Sequence, residues 1–461
     1  MKPKSNDLSR KSPKICRDYQ HISHDPLTHR HQLLKRILDR VQKNCEVEGK
    51  EFRDEFDIFL RGWFDVIPNK SKKDLVSREK KKSEMSFSFL DSVDRQSVEI
   101  FFSWAFFDKQ WYRLETWESD EIAVMFKMLE NYGITFQREK DMTSRDCTFI
   151  PRCMTLEKSN SIHRPLAFYF FFGWIRMLGY LILLMFGYRR YTIQCESGNH
   201  MTYWFRDSRD ISKHQNDETI LFQHGISPGG LANYIPFIVY CLNQMNRCVF
   251  IPETHSITCS LSFHALDEEE MVDAVQKALR RHKKLKNGLY IVSHSFGTFQ
   301  STWILKAKEI RPLIRKVVLI DPVSILLSFP DVLSNFLYSD RNKKDQMNWI
   351  QRLNIEVVRL LASSELFIED YLRRKFAWFN SELWLEDIPC DTYIFLAEDD
   401  VILNACKIQK ELDRHLVGSA RKNIFYTVWN NIRHAEVLFK PRLLNEVKQA
   451  LETSTERRKR D

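Results

Sequence analysis

Residues 288–306, GLYIVSHSFGTFQSTWILK, pass from an apolar run through a Ser/Gly turn directly into a helical pattern. Such a short run suits a strand buried on both faces of a parallel sheet. Turning from that strand into a helix within two or three residues crowds the joint. Only small side chains fit two before and two after the turn residue, which is then held out at the carboxyl edge of the sheet. Here those neighbours are Ser293 and Gly297, and the residue held out is Ser295. Ser293 breaks the strict Gly-x-Ser-x-Gly pattern but is small enough for it. An ordinary Ser/Gly turn would need no core strand before it.

The flanking sequence repeats the same texture. YTIQC (191–195) and HMTYWFR (200–206) read as a hairpin pair. ETILFQHG (218–225), RCVFIPE (247–253), KVVLIDPV (316–323), DTYIFLAEDD (391–400) and NIFYTVWN (423–430) read as buried strands. Helical patterns separate them. LDEEEMVDAVQKALRRHKKLKNG (266–288) has acids at its start, bases at its end and Gly288 beyond, as the helix dipole favours. This alternation predicts a doubly wound α/β domain over 190–450. Residues 324–388 are too long for a plain crossover and read as a helical cap. Its aromatics, among them Phe329, Phe336, Trp349, Phe367, Phe376 and Trp378, divide between packing and an apolar pocket over Ser295.

If Ser295 is a nucleophile, the chain must also supply an oxyanion hole, a base and an acid. One N–H should come from Phe296, at the start of the following helix. The second should come from the loop after an earlier strand, where QHGISPGG (223–230) offers Ile226, with His224 and Gly225 as supporting residues. The chain has only 13 glycines, and Gly225, Gly229, Gly230, Gly288 and Gly297 fall around these joints. The base expected after the last strand is His434, in NIRHAEVLF. The acid expected after the preceding strand is Asp400, with Asp399 second; Asp321 in LIDPV is a rival from one strand earlier. His294 should point the other way along its strand, as packing or pocket lining. Ser295, Asp400 and His434 follow the chain order Ser…Asp…His. In such a triad His takes the Ser proton, Asp holds the imidazole, and an acyl-enzyme forms and hydrolyses.

The 461 residues exceed one ordinary domain. Residues 1–26 read as a disordered tail and 27–150 as a helical module. FLRGWF (59–64) and VEIFFSWAFFDKQWYRL (98–114) supply its aromatic core, and Ser119 is the expected cap of a helix running to Asn131. His29 and His31 lie two apart with no partner cluster and predict no metal site. Much of the net charge of +9 sits in a basic linker near 70–82 and a charged tail at 451–461. These runs suit solvent or anionic lipid, and no nucleic-acid motif accompanies them. Ten cysteines without CxxC pairs read as reduced thiols of a cytosol-facing protein.

LAFYFFFGWIRMLGYLILLMF (166–186) reads as a hydrophobic membrane segment. Twenty-one helical residues span about 30 Å, the thickness of a bilayer core. Arg176 at its centre costs about 2.5–3.5 kcal/mol, against roughly 4–7 kcal/mol returned by its Leu, Ile and Phe residues. A spanning helix and a segment lying in one leaflet both remain open. Trp174, Tyr169 and Tyr180 suit an interface.

The joint at Ser295, the loop at 223–230, the acid after one strand and His434 after the next resemble the α/β-hydrolase superfamily over about residues 190–450. FLRGWF, FFSWAFFDK, the hydrophobic stretch after RPL and QHGISPGG together look like a group of membrane-associated hydrolases known mostly from sequence. The resemblance implies a serine hydrolase, unlike the superfamily's epoxide hydrolases and dehalogenases, which use Asp. It implies an α/β-hydrolase fold with helical cap, no cofactor and no metal. The expected activity is cleavage of an ester, lipid-like by location: an acylglycerol or lysophospholipid at a membrane. A transacylase using the same acyl-enzyme is one alternative, although no H-x4-D signature is present. A non-catalytic scaffold is the other.

Overall fold

The computed structural model describes residues 26–68, 88–136, 147–208, 218–284, 288–338, 349–418 and 423–453. The expected tails, apart from Pro26 and residues 451–453, and the basic linker at 70–82 lie outside the described residues. The chain divides into two compact units, Met1–Leu156 and Glu157–Asp461.

In the first unit, α1 (Pro26–Glu48), α2 (Phe52–Arg61), α3 (Arg95–Phe107) and α4 (Thr116–Glu130) build an aromatic core. Phe101, Phe102, Trp104, Phe106 and Phe107 of α3 are all buried, and the Trp63 and Phe101 rings lie 5.5 Å apart. The unit is not wholly helical, as the sequence pattern implies. β1 (Phe64–Pro68) and β2 (Cys147–Pro151) pair antiparallel. Their partners lie some eighty residues apart, so no hairpin signal marks them. Helix α4 starts before Ser119: Glu115 caps it, in a reciprocal capping box with Glu118.

The second unit is built on a mostly parallel sheet. Its strands are β3 (Arg189–Gln194), β4 (His200–Arg206), β5 (Thr219–Gln223), β6 (Val249–Glu253), β7 (Leu289–His294), β8 (Ile314–Ile320), β9 (Asp391–Ala397) and β10 (Ile424–Trp429). They lie in the order β10-β9-β8-β7-β5-β6-β4-β3. Only β4 runs antiparallel to its neighbours β3 and β6. Every residue of β5, β6 and β7 is buried, because helices cover the sheet. One core on this sheet joins Ile220, Phe222, Val292 and Val318 to Val447 and Leu451 near the chain's end.

Helix α5 (Leu166–Met185) precedes β3 and is long and apolar enough to cross a membrane. Helix α6 (Glu268–Arg281) begins with an Asp267–Glu270 capping box. Helix α7 (Gly297–Lys306) leaves directly from β7. In the expected cap, α8 (Trp349–Val358) and α9 (Leu366–Arg374) stand between β8 and β9. Helices α10 (Ala405–Gly418) and α11 (Pro441–Glu452) follow β9 and β10.

Candidate active site

Strand β7 ends at His294, and α7 starts at Gly297. Two residues make the turn, and Ser295 takes φ +51°. A non-glycine residue in that region is strained and persists only where its surroundings impose it. They do so here. The Ser295 N–H donates to Ile320 O at 2.9 Å, and its carbonyl accepts from Thr298 N at 2.9 Å and Thr298 Oγ1 at 2.7 Å. Gly297 packs so tightly that a Cβ there would lie 2.2 Å from Gln223 O. Gly297→Ala is therefore expected to destabilise the fold by about 3 kcal/mol, the cost of forced overpacking against backbone. A lowered urea midpoint would register it. Gly288, by contrast, stands at the opposite end of β7, against Glu218 and Arg315, and takes no part in the site.

Three side chains converge at the carboxyl edge. His434 Nε2 lies 2.7 Å from Ser295 Oγ, and His434 Nδ1 lies 2.5 Å from Asp400 Oδ2. The other Asp400 oxygen accepts from Ile402 N at 2.7 Å and Leu403 N at 3.1 Å. Asp400 thus has a buried side chain with both oxygens occupied. Asp399 is exposed, and no hydrogen bond joins its side chain to His434.

Asp321 follows β8 and is buried, but it is not hydrogen-bonded to the imidazole. Its Oδ1 accepts from Ala397 N at 2.9 Å, and its Oδ2 accepts from Ala435 N at 3.0 Å. It therefore ties the end of β9, three residues before Asp400, to the residue after His434. Ala435 itself has φ +63°. Burial pulls the His434 pKa down, but Asp400 and then Asp321 outweigh it and hold the imidazole up at about 9.

The loop after β5 is locked from behind. His224 Nδ1 lies 2.8 Å from Gly225 O, and Thr254 N–H donates to His224 Nε2 at 3.1 Å. The second bond makes Nε2 an acceptor, so Nδ1 carries the proton. Burial favours this neutral form by lowering the His224 pKa. With the Gly225 carbonyl turned onto His224, the trans peptide leaves the Ile226 N–H pointing the opposite way. Neither the Ile226 nor the Phe296 N–H donates a hydrogen bond among the described residues. Gly225 has no alternative: a Cβ would lie 2.9 Å from Ser295 Cβ and 2.9 Å from Tyr234 Oη.

His294 has a different place from the packing or pocket-lining role its position suggests. The Gly225 N–H donates to Tyr234 Oη at 2.8 Å, Tyr234 Oη lies 2.8 Å from His294 Nδ1, and His294 Nε2 lies 3.7 Å from Asp321 Oδ2. Buried polar contacts thus run from the loop after β5 to the clasp on the His434 loop. Burial lowers the His294 pKa. Burial would raise that of Asp321, but His294, His434 and the Ala435 N–H prevail and lower it. Tyr234 carried no sequence signal, because it lies nine residues past Gly225 in an irregular stretch.

Asp321, Asp400 and His434 present ligand-type atoms within 4.8 Å of one another. Those atoms are already engaged with backbone N–H groups, with one another and with Ser295.

No protein-family model matches the chain. No curated protein matches it either. Among solved structures, it is similar to an esterase of Pyrococcus furiosus, at 15% identity and TM-score 0.39, over 57% of this chain and 90% of that one. It is also similar to a bacterial membrane phospholipase A described as a virulence factor, at 16% identity and TM-score 0.41, over 60% and 90%. A carboxylesterase of Bacillus subtilis is similar at 14% identity and TM-score 0.40, over 60% and 96%. Likenesses this distant assign nothing to the chain. Its own sheet order, with the strand–turn–helix joint at Ser295 and with Asp400 and His434 after the last two strands, is that of the α/β-hydrolase fold.

Proposed function

We propose that this chain is a membrane-anchored serine hydrolase that cleaves a carboxylic ester of a lipid, an acylglycerol or lysophospholipid, through an acyl-enzyme on Ser295. The observation that carries this reading is the unbroken line Ser295 Oγ–His434–Asp400, with links of 2.7 and 2.5 Å. His434 Nε2 is placed to take the Ser295 proton as Oγ attacks the ester carbonyl. Asp400 then faces the imidazolium. The Ile226 and Phe296 N–H groups receive the oxyanion. His434 returns the proton to the leaving alcohol. Water, deprotonated by the same imidazole, releases the acid and restores Ser295.

The lipid part rests on surroundings. The Phe296 ring packs 5.3 Å from Phe299 and 5.5 Å from Tyr371 of α9, and Phe299 packs 4.8 Å from Phe376. An apolar acyl chain suits such neighbours. Helix α5, apolar enough to enter a bilayer, belongs to the same unit. A fluorophosphonate probe should label the wild type and neither Ser295→Ala nor His434→Ala. Absence of label on the folded wild type would refute the serine chemistry. Hydrolysis of acetyl esters in preference to dispersed monoacylglycerol or lysophospholipid would refute the lipid substrate.

A further inference from the structure

Helix α5 has two unlike faces. The inner one is packed on the hydrolase unit from end to end. Just before the helix, Ile162 N donates to Ser364 O at 2.9 Å, and Arg164 Nη2 donates to Leu360 O at 2.7 Å. In its first turn Tyr169 donates to Glu365 Oε1 at 2.8 Å, and its ring meets Phe367. In its middle Ile175 presses on Gly229, where a Cβ would lie 2.8 Å from Ile175 Cγ2. Farther on, Gly179 fits so closely that a Cβ would lie 2.9 Å from the Cα of Ala232. Tyr180 then donates to buried Glu253, and Leu183 enters the sheet core. Tyr169 and Tyr180, which suit an interface by residue type, are thus committed to protein carboxylates. Arg176 belongs to the same face, its Cγ and Cδ beside Gly230 on the side of Glu253.

The outer face is apolar and uncovered. Phe170, Phe171, Trp174, Leu178, Leu181 and Met185 recur at helical spacing and are each 40–77% exposed. A second exposed apolar stripe lies on α8. Trp349, Leu353 and Val357 of α8, with Leu360 beyond, are also exposed, and the Leu360 carbonyl is the one that holds Arg164. Exposed apolar surface on this scale marks an interaction site. Its composition selects the partner. The α5 face offers no acid, base or hydrogen-bonding pattern to specify a protein. Cations stand at both ends, with exposed Lys158 before the helix and exposed Arg189 after it. Apolar residues flanked by bases fit an anionic leaflet.

We propose that α5 does not cross the bilayer. It lies in the plane of one leaflet, as a docking face for anionic lipid that α8 continues. A spanning helix would need lipid on the side where Gly179 and Gly229 admit only protein. Lying flat also keeps the central charge out of hydrocarbon, because Arg176 turns to the protein and the outer face to lipid. Residues 229–232, which α5 grips, belong to the loop that carries Ile226. The membrane is thereby coupled to the candidate oxyanion loop through one rigid contact. This inference rests on the membrane part of the proposed function and not on its ester chemistry.

The full chain, made in the presence of sealed microsomes, tests this. His163→Cys and Arg189→Cys flank α5 and would be treated with a membrane-impermeant maleimide, the labelled peptide being identified by mass. The same answer at both ends is expected; one end protected until detergent is added would overturn the in-plane helix. Binding to phosphatidylcholine vesicles containing phosphatidylserine should fall roughly a hundredfold in Phe171→Glu/Leu178→Glu, since two apolar contacts are lost. It should fall several-fold in Leu353→Glu/Val357→Glu. Thermal unfolding midpoints would verify that these variants fold. Unchanged binding in the first double variant would overturn the docking face, and in the second the share assigned to α8. Ser295→Ala should bind as wild type does. A wild type that labels with fluorophosphonate yet leaves vesicles unbound would overturn the docking face alone; vesicle binding without labelling would overturn the ester chemistry alone.

Discussion

Ser295→Ala is expected to lower turnover of a soluble ester by about 10⁴–10⁶-fold, with the unfolding midpoint unchanged. The size follows from the geometry. Among the described residues His434 Nε2 pairs with Ser295 Oγ at 2.7 Å, so on the proposed mechanism removing the oxygen leaves the base nothing to activate. Alanine keeps the backbone and the Thr298 bonds to residue 295, so the joint should fold as before. On the proposed mechanism what remains is the oxyanion pair and substrate binding, which in such sites retain about 10³–10⁴-fold over water. His434→Ala should lose about as much, because nucleophile and base act as a unit. The double variant should then fall little further than either single one. Additive losses would indicate that the two residues work separately and would count against the triad.

Much of this site was legible because it depends on local order. Strands β5 and β7 are short, largely apolar runs buried throughout, β8 is buried from Lys316 on, and the small residues at the Ser295 joint answer a steric demand that any such turn makes. The choice between Asp399 and Asp400 could not be settled from sequence. Adjacent carboxylates after a strand differ only in which way the turn throws them, and that is fixed by the Ile402 and Leu403 N–H groups on Asp400. The pairing of β1 with β2 was illegible because it joins distant segments. For α5, length and hydropathy gave a helix but not its covered side. A signal was nevertheless present: Tyr169, Arg176, Gly179 and Tyr180, the small and polar exceptions in an apolar run, fall at helical spacing on one face. The link through Tyr234 and His294 had no such pattern to betray it.

The three candidate acids should separate cleanly when each is changed to asparagine. Asp400→Asn should lower kcat by about 10⁴-fold, because an amide can hold the wrong imidazole tautomer and cannot balance its charge. Asp399→Asn should change nothing, since that side chain is exposed and away from His434. Asp321→Asn should fall between them, for two reasons that a pH profile distinguishes. First, one end of the asparagine amide can no longer accept a backbone N–H, so either Ala397 or Ala435 loses its partner and the His434 loop loosens. That lowers the plateau rate, by about 10–100-fold by analogy with the loss of orienting partners elsewhere. Second, the charge that helps hold the His434 pKa at about 9 is gone. His434 must be unprotonated to act as base, so wild-type kcat/KM should climb with pH and level off above about 9. Below that value it should fall about tenfold per pH unit. In Asp321→Asn the same limb should shift to lower pH, since a positive imidazolium is less stabilised beside a neutral amide. Thus the variant's deficit should be largest on the alkaline plateau and shrink as pH falls. A deficit constant across pH would leave Asp321 a structural clasp without electrostatic influence on the base. A loss as deep as that of Asp400→Asn, with the limb gone, would move the acid's role from Asp400 to Asp321.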